Sequence, residues 1–328
     1  MHRFAALTAL VAASAWAWGV RGHRELNRAA IETLEEPGLQ FLLGHKEYVA
    51  YLSIVPDSYR TFPDPFLKIF EDPNHGWFLE QAPELMSHPP RSRYEFAIEL
   101  HKLYQKTQDK LTNIRWTGTM PYAAVEHYER LKAAMRRLRQ ARAQKEDTRF
   151  VEQEIATYAG LLGHYTADGS QPLHISIHHD GWQGDNPKDY TRDPRIHGRM
   201  ESQFVDLIEV KASDLVPRIG KAVVYDDAFD AIVQHYLKAG ALTEKVYQIE
   251  KANGWADRNN EDAKALVHAQ LAGGAELLRN LIHTAWAKSG EPMRRSARGA
   301  NDPRMTQNPI SPQNPLYNPE TGSAPAGK

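Results

Sequence analysis

The densest group of reactive side chains lies in the stretch GHYTADGSQPLH, where His164 and Asp168 stand four residues apart at the end of an apolar helical stripe. That interval places an imidazole and a carboxylate on one face of a helix, one turn apart. Gly169 and Pro172 then end the helix, so His174 can fold back from the loop toward the same place. His197 and Glu201 repeat the four-residue interval further along. Two helices that each turn an imidazole and a carboxylate inward offer rigidly placed donors for a polynuclear metal site. A single pair in a chain with 15 histidines carries little weight, but two pairs with His174 at the helix end define a candidate centre. Because the chain has no cysteine, any zinc must be held by His, Asp, Glu or backbone atoms.

The elements that must position these donors read as helices, and the fold class is all-α. Apolar residues recur at intervals of three and four in Val151, Ile155, Tyr158, Leu162 and Tyr165, in Met200, Phe204, Leu207 and Ile208, and from Leu271 to Trp286. Alternating apolar and polar runs are few and short. From Pro172 to Pro194 the chain is rich in Gly, Pro, Asp and Asn, the composition of a long loop joining two His-bearing helices. The run Arg136, Arg137, Arg139, Arg142 and Lys145 falls on a helical segment and reads as a solvated face.

The ends of the chain read differently. Arg3, an apolar run from Phe4 to Ala13, and small Ala15 and Ala17 make residues 1–17 a cleavable export signal, with Trp18 as the mature N-terminus. One globular domain is expected over 18–295. A Pro- and Asn-rich stretch, 296–328, is expected to be disordered. The apolar run of the leader is shorter than the roughly 20 residues that span a bilayer, and no later run exceeds it, so a protein without a transmembrane anchor is expected, periplasmic or secreted. The formal charge of -1 becomes -2 when Arg3 leaves with the leader, since +1 is subtracted. No overall field would steer a polyanion, so attraction must come from a local site such as bound metal.

At these residues the chain resembles the zinc-dependent phospholipase C and S-one/P-one nuclease superfamily. Its members carry a mature N-terminal Trp, an early His, an Asp, another His, then His-x-x-x-Asp-x-x-x-x-x-His and His-x-x-x-Asp/Glu. Here the same order is Trp18, His23, Asp57, His75, His164, Asp168, His174, His197 and Glu201, spread over most of the expected domain. GTMPY, Gly118 to Tyr122, is similar to the family's Gly-x-x-Pro-aromatic segment. The resemblance implies three zinc ions. One would be held by Asp57, His75, His164 and Asp168, and a second by His174, His197 and Glu201. The third would take His23, a shared Asp168, and the amino nitrogen and carbonyl oxygen of Trp18. Removal of the leader would then create a metal ligand, because an amide nitrogen has no free lone pair. The implied activity is phosphoester hydrolysis by zinc-activated hydroxide, with Asp57 and Asp168 at the attacking water.

Within that superfamily the surroundings lean toward the nucleases. Arg60 in VPDSYR follows Asp57 by three and resembles an Arg that contacts the phosphate there, a bidentate role suited to a guanidinium. The intervals from Trp18 to His23 and from His174 to His197 also resemble the nuclease pattern. Glu201 is the phospholipase-like choice, WQGDN only partly resembles the nuclease Gly-Gly-Asn loop, and Gly76 stands where the nucleases place a base-stacking aromatic. Trp77 and Phe78 are alternative platforms, with core packing an equal reading, and Trp116, Tyr122 and Trp182 are candidates for the cleft wall. His178 and His179 match no ligand position and read as loop residues near the metals. The expectation is a monomeric exported phosphodiesterase acting on single-stranded nucleic acid and 3′-nucleotides. A phospholipase C acting on phospholipid and a non-catalytic zinc-dependent binding protein of the envelope are the alternatives.

Overall fold

The computed structural model describes residues 18–61, 64–291, 317–318 and 323–324. Residues 1–17, on which the export-signal expectation falls, lie outside them, as does most of 296–328. Within that last stretch Tyr317–Asn318 pairs antiparallel with Ser323–Ala324. The rest of the described chain is helical and turns, an all-α domain as expected.

Its centre is the helix Arg149–Asp168, whose stripe Ile155, Leu162 and Tyr165 is buried and which carries His164 and Asp168 in its last two turns. This helix packs against Met120–Gln144, Lys46–Leu52, Gly19–Glu32 and the long Glu261–Ser289. Asn27, inside the first of these helices in sequence and fully buried, donates its amide to Val49 O at 3.0 Å and Gly160 O at 3.2 Å. One side chain thereby ties Gly19–Glu32 to two neighbours. An unsatisfied buried amide would cost about 1–3 kcal/mol, so the bonds also fix the spacing of the three helices.

Two sequence expectations are corrected here. The basic run on Met120–Gln144 is a clamp, not a freely solvated face. Arg139 donates to Trp286 O at 2.9 Å and Ser289 Oγ at 2.8 Å with its guanidinium 3.7 Å over the Trp286 ring, and Arg136 donates to Lys288 O and Glu291 O. The last carbonyls of Glu261–Ser289 have no helical partners and carry the negative end of its dipole, which is what arginines satisfy. Arg142 reaches Gly38 O, and Arg137 pairs with Glu154. The stretch 172–194 is likewise not loop throughout: Pro172–Ile175 and Ile177–Asp180 are single 3-10 turns. Gln171 caps the first by accepting from Leu173 N, and Ser176 caps the second by accepting from His178 N.

Candidate metal centre

Four chain segments meet at the C-terminal end of Arg149–Asp168. Gly19–Glu32 brings His23, the short helix Val55–Thr61 brings Asp57, the 3-10 turn Asp72–His75 brings His75, and the turns after Gln171 bring His174. His75 is set by a close backbone crossing. Gly118, at φ 85°, passes so near that a Cβ there would sit 1.8 Å from Gly76 O. Only glycine fits that conformation and that gap. Met120 N, Thr119 N and Phe78 N then bond to Gly76 O, Pro73 O and Thr117 O, which locks GTMPY onto the His75 turn.

The eight side chains singled out as ligands, His23, Asp57, His75, His164, Asp168, His174, His197 and Glu201, are all buried and all converge. His164 Nε2 lies 3.2 Å from Asp168 Oδ2 and 3.0 Å from His75 Nδ1, which is itself 3.1 Å from Asp168 Oδ2 and 3.5 Å from Asp57 Oδ1. His23 Nε2 lies 3.4 Å from Asp168 Oδ1 and 3.9 Å from Asp57 Oδ2, with its ring stacked on that of His164. In an adjoining pocket His197 Nε2 lies 2.8 Å from Glu201 Oε2 and 3.1 Å from His174 Nε2. His174 Nδ1, 3.6 Å from Asp168 Oδ2, joins the two pockets. The interval from His197 to Glu201 survives although Arg199–Phe204 is wound as a π-helix, a local widening common at functional sites.

Proton positions decide what these clusters need. His164 donates its Nδ1–H to Ser53 O at 2.7 Å, and His174 donates its Nδ1–H to His75 O at 2.6 Å. Their Nε2 atoms therefore face neighbouring ring nitrogens and carboxylates, an arrangement that a metal ion or added protons at the centre relieve. His23 Nε2 faces Asp168 Oδ1 and Asp57 Oδ2, and among the described residues none of the three atoms has a well-formed hydrogen bond. Without metal, protons fill the role. Burial works against a charged His164, but Asp168 and Asp57 outweigh it and lift its pKa to about 9. Burial is likewise outweighed at His197 by Glu201 and Asp180, which lift it to about 10. Burial would raise Asp168 and Glu201, yet the neighbouring imidazoles hold both below the usual carboxylate range. Buried His, Asp and Glu groups of this kind can hold metal ions, and a donor set rich in imidazole suits zinc better than calcium or magnesium.

Other expected residues fall as follows. Trp18 is fully buried, and its indole donates to Ala167 O at 2.8 Å, next to Asp168, while its carbonyl accepts from Gly22 N. Arg60 stands at the rim, 3.8 Å from Asp57 Oδ1 and 3.3 Å from Asp72 Oδ1. Trp77 and Tyr122 belong to the core and not to a cleft wall, each with its polar atom bonded to a carbonyl, Met86 O and Pro90 O. Phe78 is half-buried and stacked on His179 at 4.8 Å. Its ring covers Gly76 so closely that a Cβ there would meet it at 2.6 Å. Trp182 stacks on His178 within the 172–194 segment, and Trp116 is exposed.

Sequence reasoning missed the residues behind the ligands: Ser53, Glu71, Gln171 and Asp180. Glu71, whose Oε2 is 3.7 Å from His75 Nε2, stands four before it, the same interval used to find the other pairs. Asp180 directly follows His178 and His179. Gln171 donates to Glu201 Oε2 at 3.2 Å. No family model matches this chain and no curated protein matches it.

Proposed function

We propose that this protein is an exported zinc-dependent phosphodiesterase of the phospholipase C and S-one/P-one nuclease superfamily, acting on single-stranded nucleic acid and 3′-nucleotides. The observation that carries the reading is the convergence of bare imidazole nitrogens and carboxylate oxygens in two joined buried pockets, with a guanidinium at their rim. Three zinc ions are proposed. Asp57, His75, His164 and Asp168 would hold the first, His174, His197 and Glu201 the second, and His23, Asp168 and the Trp18 backbone the third. When bound, zinc lowers the pKa of water toward about 7 and offsets the charge gathering on a phosphate.

The chain's own groups do the rest. Asp57 and Asp168 would accept hydrogen bonds from an attacking water and so orient it. Arg60, its Nη1 beside Asp57 and its Nε toward Asp72, presents N–H donors to a phosphate oxygen at the mouth. Phe78, braced by His179 over side-chain-free Gly76, offers an aromatic face for a base. Stacking of that kind contributes roughly 1–3 kcal/mol per base.

A second reading, a phospholipase C, draws support from the helix Pro65–Glu71 between Arg60 and His75. Phe66, Ile69 and Phe70 there are 75%, 59% and 66% exposed, an apolar face suited to lipid. The deciding experiment uses protein beginning at Trp18, counts zinc by elemental analysis, and offers single-stranded DNA beside phosphatidylcholine vesicles. Oligonucleotide cleavage with about three zinc ions per chain is expected. Lipid hydrolysis alone would replace the substrate, and a zinc-free chain would overturn the whole proposal.

A further inference from the structure

Asp180 lies outside the ligand set, yet its two carboxylate oxygens are divided between two imidazoles. Oδ1 accepts from His197 Nδ1 at 3.2 Å, and Oδ2 lies 3.0 Å from His179 Nδ1, an ion-pair contact. The first bond fixes the ring on which the second pocket depends: with Nδ1 holding its proton for Asp180, Nε2 is the atom left to face His174 and Glu201. The second contact holds the His179 ring where it stacks on Phe78, 23° between planes. Asp180 ends the 3-10 turn Ile177–Asp180, which is itself tied down because Ser176 Oγ and Ile177 N both donate to Glu80.

We infer that Asp180 is a positioning residue that sets the tautomer and orientation of His197 for metal and, through His179, fixes the aromatic wall at Phe78. The inference rests on the metal-centre reading above. It differs from treating His179, Asp180 and His197 as a further ligand group, which their spacing also permits. That alternative would need His197 to give up both ring protons and bridge two ions.

The side chain of Asp180 is 49% exposed, so its replacement leaves no cavity in the core. In Asp180→Asn the amide oxygen can still accept from His197, but the negative charge is gone. Asp180→Ala removes both. Each protein, starting at Trp18 and loaded with zinc, is mixed with an excess of a colorimetric chelator and the release of metal is followed in time. The expected result is one zinc equivalent leaving about 10–100-fold faster in Asp180→Ala, less accelerated in Asp180→Asn, with the remaining zinc released as in wild type. Far-UV circular dichroism of the metal-free protein should be unchanged in both and the faster release confined to one zinc equivalent, which a merely structural role would not allow. Loss of a zinc equivalent in His179→Ala would overturn the inference in favour of a ligand group. Unchanged release in both Asp180 variants of a zinc-loaded protein overturns it alone, whereas a wild-type chain that takes up no zinc overturns it together with the metal centre.

Discussion

Stripping the proposed metal should cost this protein a large part of its stability. His23 Nε2 lies 3.9 Å from Asp57 Oδ2 and 3.4 Å from Asp168 Oδ1, and all three atoms are buried without a well-formed hydrogen bond among the described residues. Each such unsatisfied group costs about 1–3 kcal/mol, so the three together amount to about 3–9 kcal/mol. Water admitted to the emptied pocket would recover some of this, leaving about 2–5 kcal/mol. For a domain of this size each kcal/mol corresponds to roughly 2–4 °C of melting temperature, so chelation should lower it by about 4–20 °C. The loss is a large fraction of the roughly 5–15 kcal/mol by which domains are stable. The assay is a thermal melt of zinc-loaded protein, of the same protein after chelation and dialysis, and of the dialysed protein given back zinc, calcium or magnesium. Zinc should restore the melt, while the oxygen-seeking calcium and magnesium should not. An unchanged melting temperature after verified chelation would falsify the argument that these atoms await a cation. Restoration by calcium as well as by zinc would refute the assignment of the donor set.

Three further outcomes follow from the same geometry. Arg60→Ala should lower kcat/KM on oligonucleotides by about 10–100-fold, the worth of one charged hydrogen bond, with zinc content unchanged; a variant that also loses zinc would place Arg60 in the structure of the centre instead. In the metal-free protein, burial depresses His127 and His235 to about 4, so the stability they contribute is complete above 6.5 and lost as pH falls toward 4. His164 and His197, raised to about 9 and 10, act oppositely: their contribution is complete below 6.5 and lost as pH climbs through those values. Urea midpoints of the chelated protein should therefore peak near pH 6.5 and fall on both sides, and a monotonic profile would contradict the assignments. Protein carrying an extra residue before Trp18 should bind one zinc fewer than protein beginning there, and equal zinc content by elemental analysis would show that the Trp18 nitrogen is not a ligand.

How much of this was legible in the chain depends on distance along it. His164 with Asp168, and His197 with Glu201, were readable because one turn of helix fixes the separation of side chains four apart whatever surrounds them. Even the π-wound stretch at Arg199–Phe204 left that second pair intact. The all-α class followed for the same reason, from stripes such as Ile155, Leu162 and Tyr165 that repeat at the pitch of the helix. His23, Asp57 and His75 were reached only through the resemblance, since no local interval connects them to one another.

Tertiary structure alone decided the rest. Whether Trp77 walls a cleft or fills the core, and whether Phe78 can lie over Gly76, depends on a crossing at Gly118, about forty residues away. The arginines of Met120–Gln144 read as a solvated face until their partners, the carbonyls ending Glu261–Ser289, came into view. The groups that orient the ligands, Ser53 O behind His164 and His75 O behind His174, are backbone atoms that every residue possesses and that no residue type announces. By itself the sequence determined which donors exist and which lie one turn apart, because covalent geometry sets short separations. Which nitrogen of each imidazole faces the centre was decided by packing, because a ring's orientation depends on whichever distant oxygen the fold brings to its other side.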